Sequence, residues 1–138
     1  MRYSIVTLLA TFMVSGAFAE PCSVVYQDNH QIDALLGNKR VEANDPVSGE
    51  NWKEDHCLGS GALYKVGLGP NDPIDPRKQV GTWTYDNTAA TVTYNYDGNP
   101  GSKFTWTVKY NRRTGNICWE GNGQAIAYGT ATDNSLCN

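Results

Sequence analysis

The sequence is poor in the residues and motifs that carry most catalytic and metal chemistry. It has only two histidines, His30 and His56, and its four cysteines contain no C-x-x-C pair. A zinc-type metal site is therefore disfavoured. The sequence also has no G-x-S-x-G, H-E-x-x-H or phosphate-loop motif. We therefore expect a protein that is not an enzyme and that uses no cofactor.

No stretch of the chain concentrates basic residues. The sequence has 11 Lys and Arg against 14 Asp and Glu, which gives a formal net charge of −3. Nucleic acids and anionic membranes are bound mainly through Lys/Arg patches. The charge pattern therefore argues against both of these as partners.

The chain has only one long apolar run, over residues 5–18. A basic start, this run and an A-x-A motif at residues 17–19 are typical of a secretory signal peptide. The run is too short to favour a membrane anchor. We expect a signal peptide over residues 1–19, with cleavage before Glu20. The product would be one periplasmic or secreted domain over residues 20–138, a monomer without a membrane anchor.

The clearest pattern is an alternation of apolar and polar residues between Gly81 and Asn111. A period of two indicates β-strands with one buried face. Turn-forming residues interrupt the pattern twice, which predicts an antiparallel meander of three strands over residues 80–85, 90–96 and 103–110. The apolar positions of this stripe are Trp83, Tyr85, Val92, Tyr94, Tyr96, Phe104, Trp106, Val108 and Tyr110.

The flanking segments predict a larger all-β fold of the same kind. A short N-terminal helix is predicted near residues 29–36, where Ile32, Leu35 and Leu36 have helical spacing before Gly37. About eight antiparallel strands joined by short turns favour a small closed barrel, with a β-sandwich as the alternative. The further candidate strands cover residues 38–43, 51–57, 62–66, 117–120 and 125–130.

Four cysteines remain after the predicted cleavage: Cys22, Cys57, Cys118 and Cys137. An even number in an exported chain predicts two disulfides, for which three connectivities are possible. We favour Cys22–Cys57 with Cys118–Cys137, because this pairing closes the two shorter loops. Whichever pairing forms, we expect all four cysteines to be oxidised.

The aromatic stripe supports two interpretations. The first is a packed interior, because a small barrel can be filled by side chains alone. The second is an aromatic-lined pocket for a small apolar or glycan ligand, with Tyr hydroxyl and Trp N–H groups as polar contacts. The candidate ligand-binding residues are Trp83, Tyr94, Tyr96 and Trp106.

Several short motifs are spread over the chain: Leu36-Gly37-Asn38 after the predicted helix, the strand of Trp52, Gly61-Ala62-Leu63-Tyr64 and Val80-Gly81-Thr82-Trp83. Together these motifs resemble small secreted lipocalin-like (calycin-like) domains of proteobacteria. The resemblance implies an exported β-barrel and gives no activity. The chain lacks the early G-x-W of true lipocalins. We therefore expect a non-enzymatic binding module for an unknown ligand or protein, with a purely structural role as an alternative.

One turn is similar to the recognition loop of another family. The segment from Ser60 to Tyr64 fits the S-G-x-x-Y pattern of periplasmic lysozyme inhibitors, which are small disulfide-bearing barrels. In that family the Ser and Tyr enter the lysozyme cleft. The similarity implies, as the alternative function, a lysozyme inhibitor that binds its partner through Ser60 and Tyr64.

Two further features can be interpreted from the sequence. His56 follows Glu54 and Asp55, an arrangement that can supply a general base or a metal ligand, but a half-solvated strand edge is the favoured interpretation. The loop over residues 67–78 contains three prolines and is longer than most connections between antiparallel strands. We expect it to be ordered, to bury Ile74 and to cap one barrel mouth.

Overall fold

A computed structural model describes residues 20–74 and 76–137, so the predicted signal peptide lies outside the described residues. Within them no helix is both long and apolar enough to cross a membrane. One short α-helix accompanies nine β-strands, and a 3₁₀ turn at Ser135–Cys137 follows the last strand. The elements in chain order are β1 (Gln27–Asp28), α1 (Ile32–Leu36), β2 (Lys39–Asn44), β3 (Asn51–His56), β4 (Ala62–Val66), β5 (Arg77–Asp86), β6 (Thr91–Tyr96), β7 (Ser102–Tyr110), β8 (Ile117–Gly121) and β9 (Gln124–Asp133).

Eight of the strands form a closed antiparallel barrel. Each of β2 to β8 pairs with the next strand in the chain, and β9 pairs back with β2 to close the sheet. The two-residue strand β1 pairs with the end of β7, beyond the start of β6. The predicted all-β barrel with one short helix is therefore confirmed, and the sandwich alternative is wrong.

The helix α1 lies at one end of the barrel, which we call the closed end. Ile32 and Leu36 on α1 are fully buried in the main core. Asn87, in the turn after β5, accepts a hydrogen bond of 2.8 Å from the Ile32 N–H and donates one of 2.9 Å to Asp33. The helix begins three residues later than predicted, because Asn29 and Gln31 form a turn before it.

The opposite end, which we call the open end, carries the loops over residues 45–50, 67–76, 97–101 and 122–123. The apolar/polar alternation of the central meander continues to this end, but its apolar side chains become less buried there. Val108 is fully buried, Trp106 is half-buried, and Phe104 is 43% exposed. The predicted stripe therefore points into the barrel but reaches solvent at the open end.

Side chains fill most of the barrel interior. Among the fully or almost fully buried residues, Leu63, Trp83, Val92, Ile117 and Trp119 come from four different strands. The internal cavity that remains has a volume of only about 40 Å³. Such a cavity has room for about one water molecule or a functional group of similar size. A ligand deep inside the barrel is thereby excluded.

The two disulfides join Cys22 to Cys118 and Cys57 to Cys137, so the predicted connectivity is wrong. The prediction relied on loop length, whereas the barrel wall decides which cysteines meet. The N-terminal segment runs along β8 and β9, where the Ala125 N–H donates a hydrogen bond of 2.7 Å to the Glu20 carbonyl. Each disulfide therefore fastens one end of the described chain to the barrel.

The loop between β4 and β5 is held by its own hydrogen bonds. Asp72 accepts hydrogen bonds from the N–H groups of Leu68 (3.1 Å) and Ile74 (2.9 Å). Ile74 is half-buried. No described residue of this loop lines the cavity or the cleft at the open end. The expected cap over the mouth is therefore not formed by the described part of the loop.

Candidate functional site at the open end of the barrel

The open end of the barrel contains a cleft that leads towards the small cavity. The cleft has a volume of about 570 Å³, which lies within the range of small-molecule sites. Trp52, Glu54 and Tyr96 line both the cleft and the cavity, so they form the boundary between the two. The cleft is also lined by Glu50, Asn51, Lys65 and Val80, and the cavity by Val41, Ala43, Tyr94, Trp106, Trp119 and Ala127.

Glu54 is the central polar residue of this site. It lies in β3 with its side chain inside the barrel, and it is only 7% exposed. The Tyr96 hydroxyl donates a hydrogen bond of 2.9 Å to Glu54 Oε1. Among the described residues, no basic side chain lies within ion-pair distance of Glu54.

The burial of Glu54 changes its ionisation. Loss of solvation raises the pKa of Glu54 to about 7, although the hydrogen bond from Tyr96 and the charge of Lys65 act in the opposite direction. Burial and the charge of Glu54 also raise the pKa of Tyr96, so Tyr96 remains a hydrogen-bond donor. Near neutral pH the Glu54 carboxyl is therefore close to half ionised and can accept a further hydrogen bond.

Aromatic rings form a continuous wall beside Glu54. The rings of Tyr94 and Tyr96 stack with centroids 6.1 Å apart, and those of Phe104 and Trp106 with centroids 5.5 Å apart. Tyr94 also contacts Trp106, at 5.6 Å. Three of the four predicted ligand-binding residues, Tyr94, Tyr96 and Trp106, therefore lie together at the cavity.

The fourth predicted residue, Trp83, lies elsewhere. It packs against His56, and its N–H donates a hydrogen bond of 3.2 Å to the Cys57 carbonyl near the closed end. Trp83 does not line the cavity or the cleft. The structure thus places it in the core.

A second tryptophan that the sequence did not single out has an unsatisfied polar group. Trp119 lines the cavity and is only 3% exposed. No acceptor in the described residues meets hydrogen-bond geometry with its Nε1–H group. The Tyr94 hydroxyl is the nearest candidate acceptor, since a weak hydrogen bond from the indole opposes the rise in the pKa of Tyr94 that burial causes. A buried N–H group without a well-aligned partner is uncommon.

The expectation that His56 lies on a half-solvated strand edge is wrong. Strand β3 pairs with β2 on one side and β4 on the other, so it has no free edge. His56 is fully buried, and its Nε2 lies 3.0 Å from the Tyr94 hydroxyl. Loss of solvation lowers the pKa of His56 to about 4, so the ring is neutral near pH 7.

Asp55 faces the outside of the barrel and is nevertheless fully buried. Its carboxylate pairs with Arg40 at 2.8 Å and with Arg77 at 3.0 Å. The Arg77 guanidinium also covers the ring of Tyr64, at 3.8 Å from the ring centroid. This cluster connects β2, β3, β4 and β5. Because Asp55 points outward and Glu54 and His56 point into the barrel, the three side chains do not form one site.

The residues of the predicted inhibitor loop are separated by the fold. Ser60 is exposed in the turn after β3, at the closed end, where its Oγ accepts a hydrogen bond of 3.2 Å from the Ala62 N–H. Tyr64 lies within β4, beneath Arg77. They do not project together from one loop.

Among the described residues, no three His, Cys, Asp or Glu side chains are grouped closely enough to hold a metal ion. No protein-family model, curated protein or solved structure matches this chain.

Proposed function

We propose that this protein is an exported, non-enzymatic binding module that takes a small ligand at the open end of its barrel. The observation that carries the proposal is the buried carboxyl group of Glu54 at the base of a cleft of ligand size. A buried acid without a basic partner is costly for a fold to keep. A ligand that contacts it would offset part of this cost. The ligand would sit in the mouth, because the interior is filled.

The eight-stranded antiparallel barrel is consistent with the lipocalin-like resemblance. In closed barrels of this size the mouth is a common place for ligands. The rings of Trp52, Tyr96 and Trp106, which line the cavity, offer flat apolar contacts, while Glu54 provides a directional one. The absence of a catalytic motif from the sequence supports binding over catalysis.

Export is supported by the apolar run at the N-terminus and by the two disulfides. Disulfides persist mainly in oxidising compartments outside the cytoplasm. The mass of the protein recovered from the periplasm or the medium would test this part. We expect a chain that begins at Glu20 and contains no free thiol. A chain that retains residues 1–19 would contradict it.

Binding can be tested by isothermal titration of the oxidised protein with a panel of small apolar compounds and saccharides. We expect at least one class to bind, and Tyr96→Phe to weaken its binding by about fivefold, because this change removes the hydrogen bond that positions the Glu54 carboxyl and alters the cleft base. Tyr128→Phe is the matched control, since Tyr128 packs against Tyr26 near the Cys22–Cys118 disulfide. Equal affinities for both variants would place the ligand elsewhere.

The lysozyme-inhibitor function stays a prediction. The position of Tyr64 under Arg77 gives it little support, because the ring would have to leave this contact to enter a partner. A lysozyme-clearing assay with the purified protein, repeated with Ser60→Leu, tests it directly. Inhibition that is lost in this variant would make the closed end the binding surface.

A further inference from the structure

We infer that the ligand of the open end is a saccharide, and that one of its hydroxyl groups enters the cavity between Glu54 and Trp119. The inference rests on the proposed function of the cleft and adds the chemical class of the ligand. It is drawn from the two polar groups that line the cavity and from the rings that surround them.

The first argument concerns hydrogen bonding. The Nε1–H group of Trp119 can only donate, and no acceptor in the described residues meets hydrogen-bond geometry with it, although the Tyr94 hydroxyl lies close enough to interact. The Glu54 carboxylate can accept further bonds, because Tyr96 donates to Oε1 and the Trp52 indole is the other side-chain donor that acts on it. A hydroxyl group both donates and accepts. One hydroxyl in the cavity could therefore accept from Trp119 and donate to Glu54.

The size of the cavity agrees with this assignment. Its volume of about 40 Å³ admits a group comparable to a water molecule and excludes a whole ring or an acyl chain. The adjoining cleft, of about 570 Å³, has room for a sugar ring outside the cavity. A ring hydroxyl pointing down from the cleft matches both volumes.

Aromatic rings at the cleft supply the second contact. Trp52 and Tyr96 line the cleft as well as the cavity, so their rings border the space that a sugar ring would occupy. A pyranose has one face of C–H groups that can lie against an aromatic face. The ring would thus be held by apolar contact while its hydroxyl reaches Glu54.

Other ligand classes fit fewer of these features. An organic cation would satisfy Glu54 but offers no acceptor to the Trp119 N–H group. An acyl chain would satisfy neither group. An anion would accept from Trp119 but would meet the carboxylate of Glu54, with only Lys65 of the cleft lining to offset the repulsion. A neutral hydroxyl-bearing ligand satisfies both groups.

The test is isothermal titration of the oxidised protein at pH 8, where Glu54 is mainly ionised. The probes are the methyl glycosides of glucose, galactose and N-acetylglucosamine, and the β-1,4-linked disaccharides of glucose and N-acetylglucosamine. Tetramethylammonium and lauric acid represent the competing classes. We expect at least one saccharide to bind, and neither competitor.

The variants Trp119→Phe and Glu54→Gln test the position of the hydroxyl. Trp119→Phe removes the N–H donor together with part of the bicyclic ring, and we expect saccharide binding about tenfold weaker. The smaller ring also leaves a void in the core, so the thermal midpoint of the free protein should fall, and affinity is measured well below that midpoint. Glu54→Gln should weaken binding by a similar factor. Glu42→Gln, on the outer face and paired with Lys53, should have no effect.

The outcomes separate this inference from the proposed function. Binding of lauric acid or tetramethylammonium in place of saccharides would overturn the ligand class but leave the cleft as a binding site. Saccharide binding that is insensitive to Trp119→Phe and Glu54→Gln would overturn the position of the hydroxyl. Unchanged affinity of Trp119→Phe, with only a lower thermal midpoint, would show that the indole packs the core without contacting the ligand. Binding of no probe of any class would overturn both proposals.

Discussion

The Tyr96 hydroxyl donates a hydrogen bond to Glu54 across the interior of the barrel, from β6 to β3. These two strands are not neighbours in the sheet, because β4 and β5 lie between them. The bond therefore spans the lumen rather than following the wall. It marks the level at which the open cleft gives way to the packed interior.

The pH dependence of stability should change when Glu54 is replaced. Burial raises the pKa of Glu54 from 4.5 to about 7. The folded protein therefore binds a proton that the unfolded chain has lost, and the free energy of unfolding falls as the pH rises through this window. By the usual conversion of pKa shifts the contribution is at most about 3 kcal/mol.

His56 acts in the opposite direction. Burial lowers its pKa from 6.5 to about 4, so the unfolded chain binds the extra proton and stability rises with pH between these values. In the unchanged protein the two effects largely cancel. We expect Glu54→Gln to become more stable as the pH rises from 4 to 6.5, as measured by urea unfolding. A profile parallel to that of the unchanged protein would contradict the assignment.

Removal of a core tryptophan should be much more damaging than removal of a ring at the open end. Trp83 is 2% exposed and has a satisfied N–H group, so Trp83→Ala should lower the free energy of unfolding by about 3–5 kcal/mol. Phe104→Ala, at the exposed end of the same stripe, should lower it by roughly 1 kcal/mol or less. If urea unfolding gives similar losses for the two variants, the assignment of Trp83 to the core and of Phe104 to the exposed end of the stripe is wrong.

The buried carboxylate on the outer wall should be important for stability. Asp55→Asn leaves Arg40 and Arg77 without their common partner and should destabilise by about 3 kcal/mol. The matched change is Asp133→Asn, because Asp133 pairs with Lys39 while its side chain is 92% exposed. Solvent screens that pair, so the midpoint of urea unfolding should stay nearly unchanged.

The disulfide connectivity can be read from peptides of the oxidised protein. Proteolysis without reduction should release Cys22 linked to Cys118 and Cys57 linked to Cys137. The double change Cys57→Ser and Cys137→Ser should destabilise by about 2–5 kcal/mol. Peptides that link Cys22 to Cys57 would contradict the structure.

The meander could be predicted because a single strand carries its own period. The alternation from Trp83 to Tyr110 determines which side chains share a face without reference to distant residues. The same alternation puts Trp52, Glu54 and His56 on one face of β3. It could not show that this face is the interior, since that depends on pairing with β2 and β4.

The site and the disulfides depend on contacts between distant parts of the chain. Trp119 comes close to Glu54 only when the barrel closes, so no local pattern could have joined them. The buried ion pair of Asp55 could not be predicted for the same reason, because its partner Arg77 follows the long loop after β4. The prediction of cysteine pairing from loop length was wrong because the N-terminal segment meets β8 and the C-terminal segment meets the end of β3.

The two disulfides are interleaved, since Cys57 lies inside the loop closed by Cys22 and Cys118 while Cys137 lies outside it. A denaturant that unfolds the oxidised protein therefore leaves a chain with two overlapping disulfide-closed loops rather than an unconstrained linear chain. Such a chain stays compact and exposes less surface than its reduced form. The urea dependence of unfolding should accordingly be shallow for a barrel of this size, and it should steepen only when both bonds are reduced.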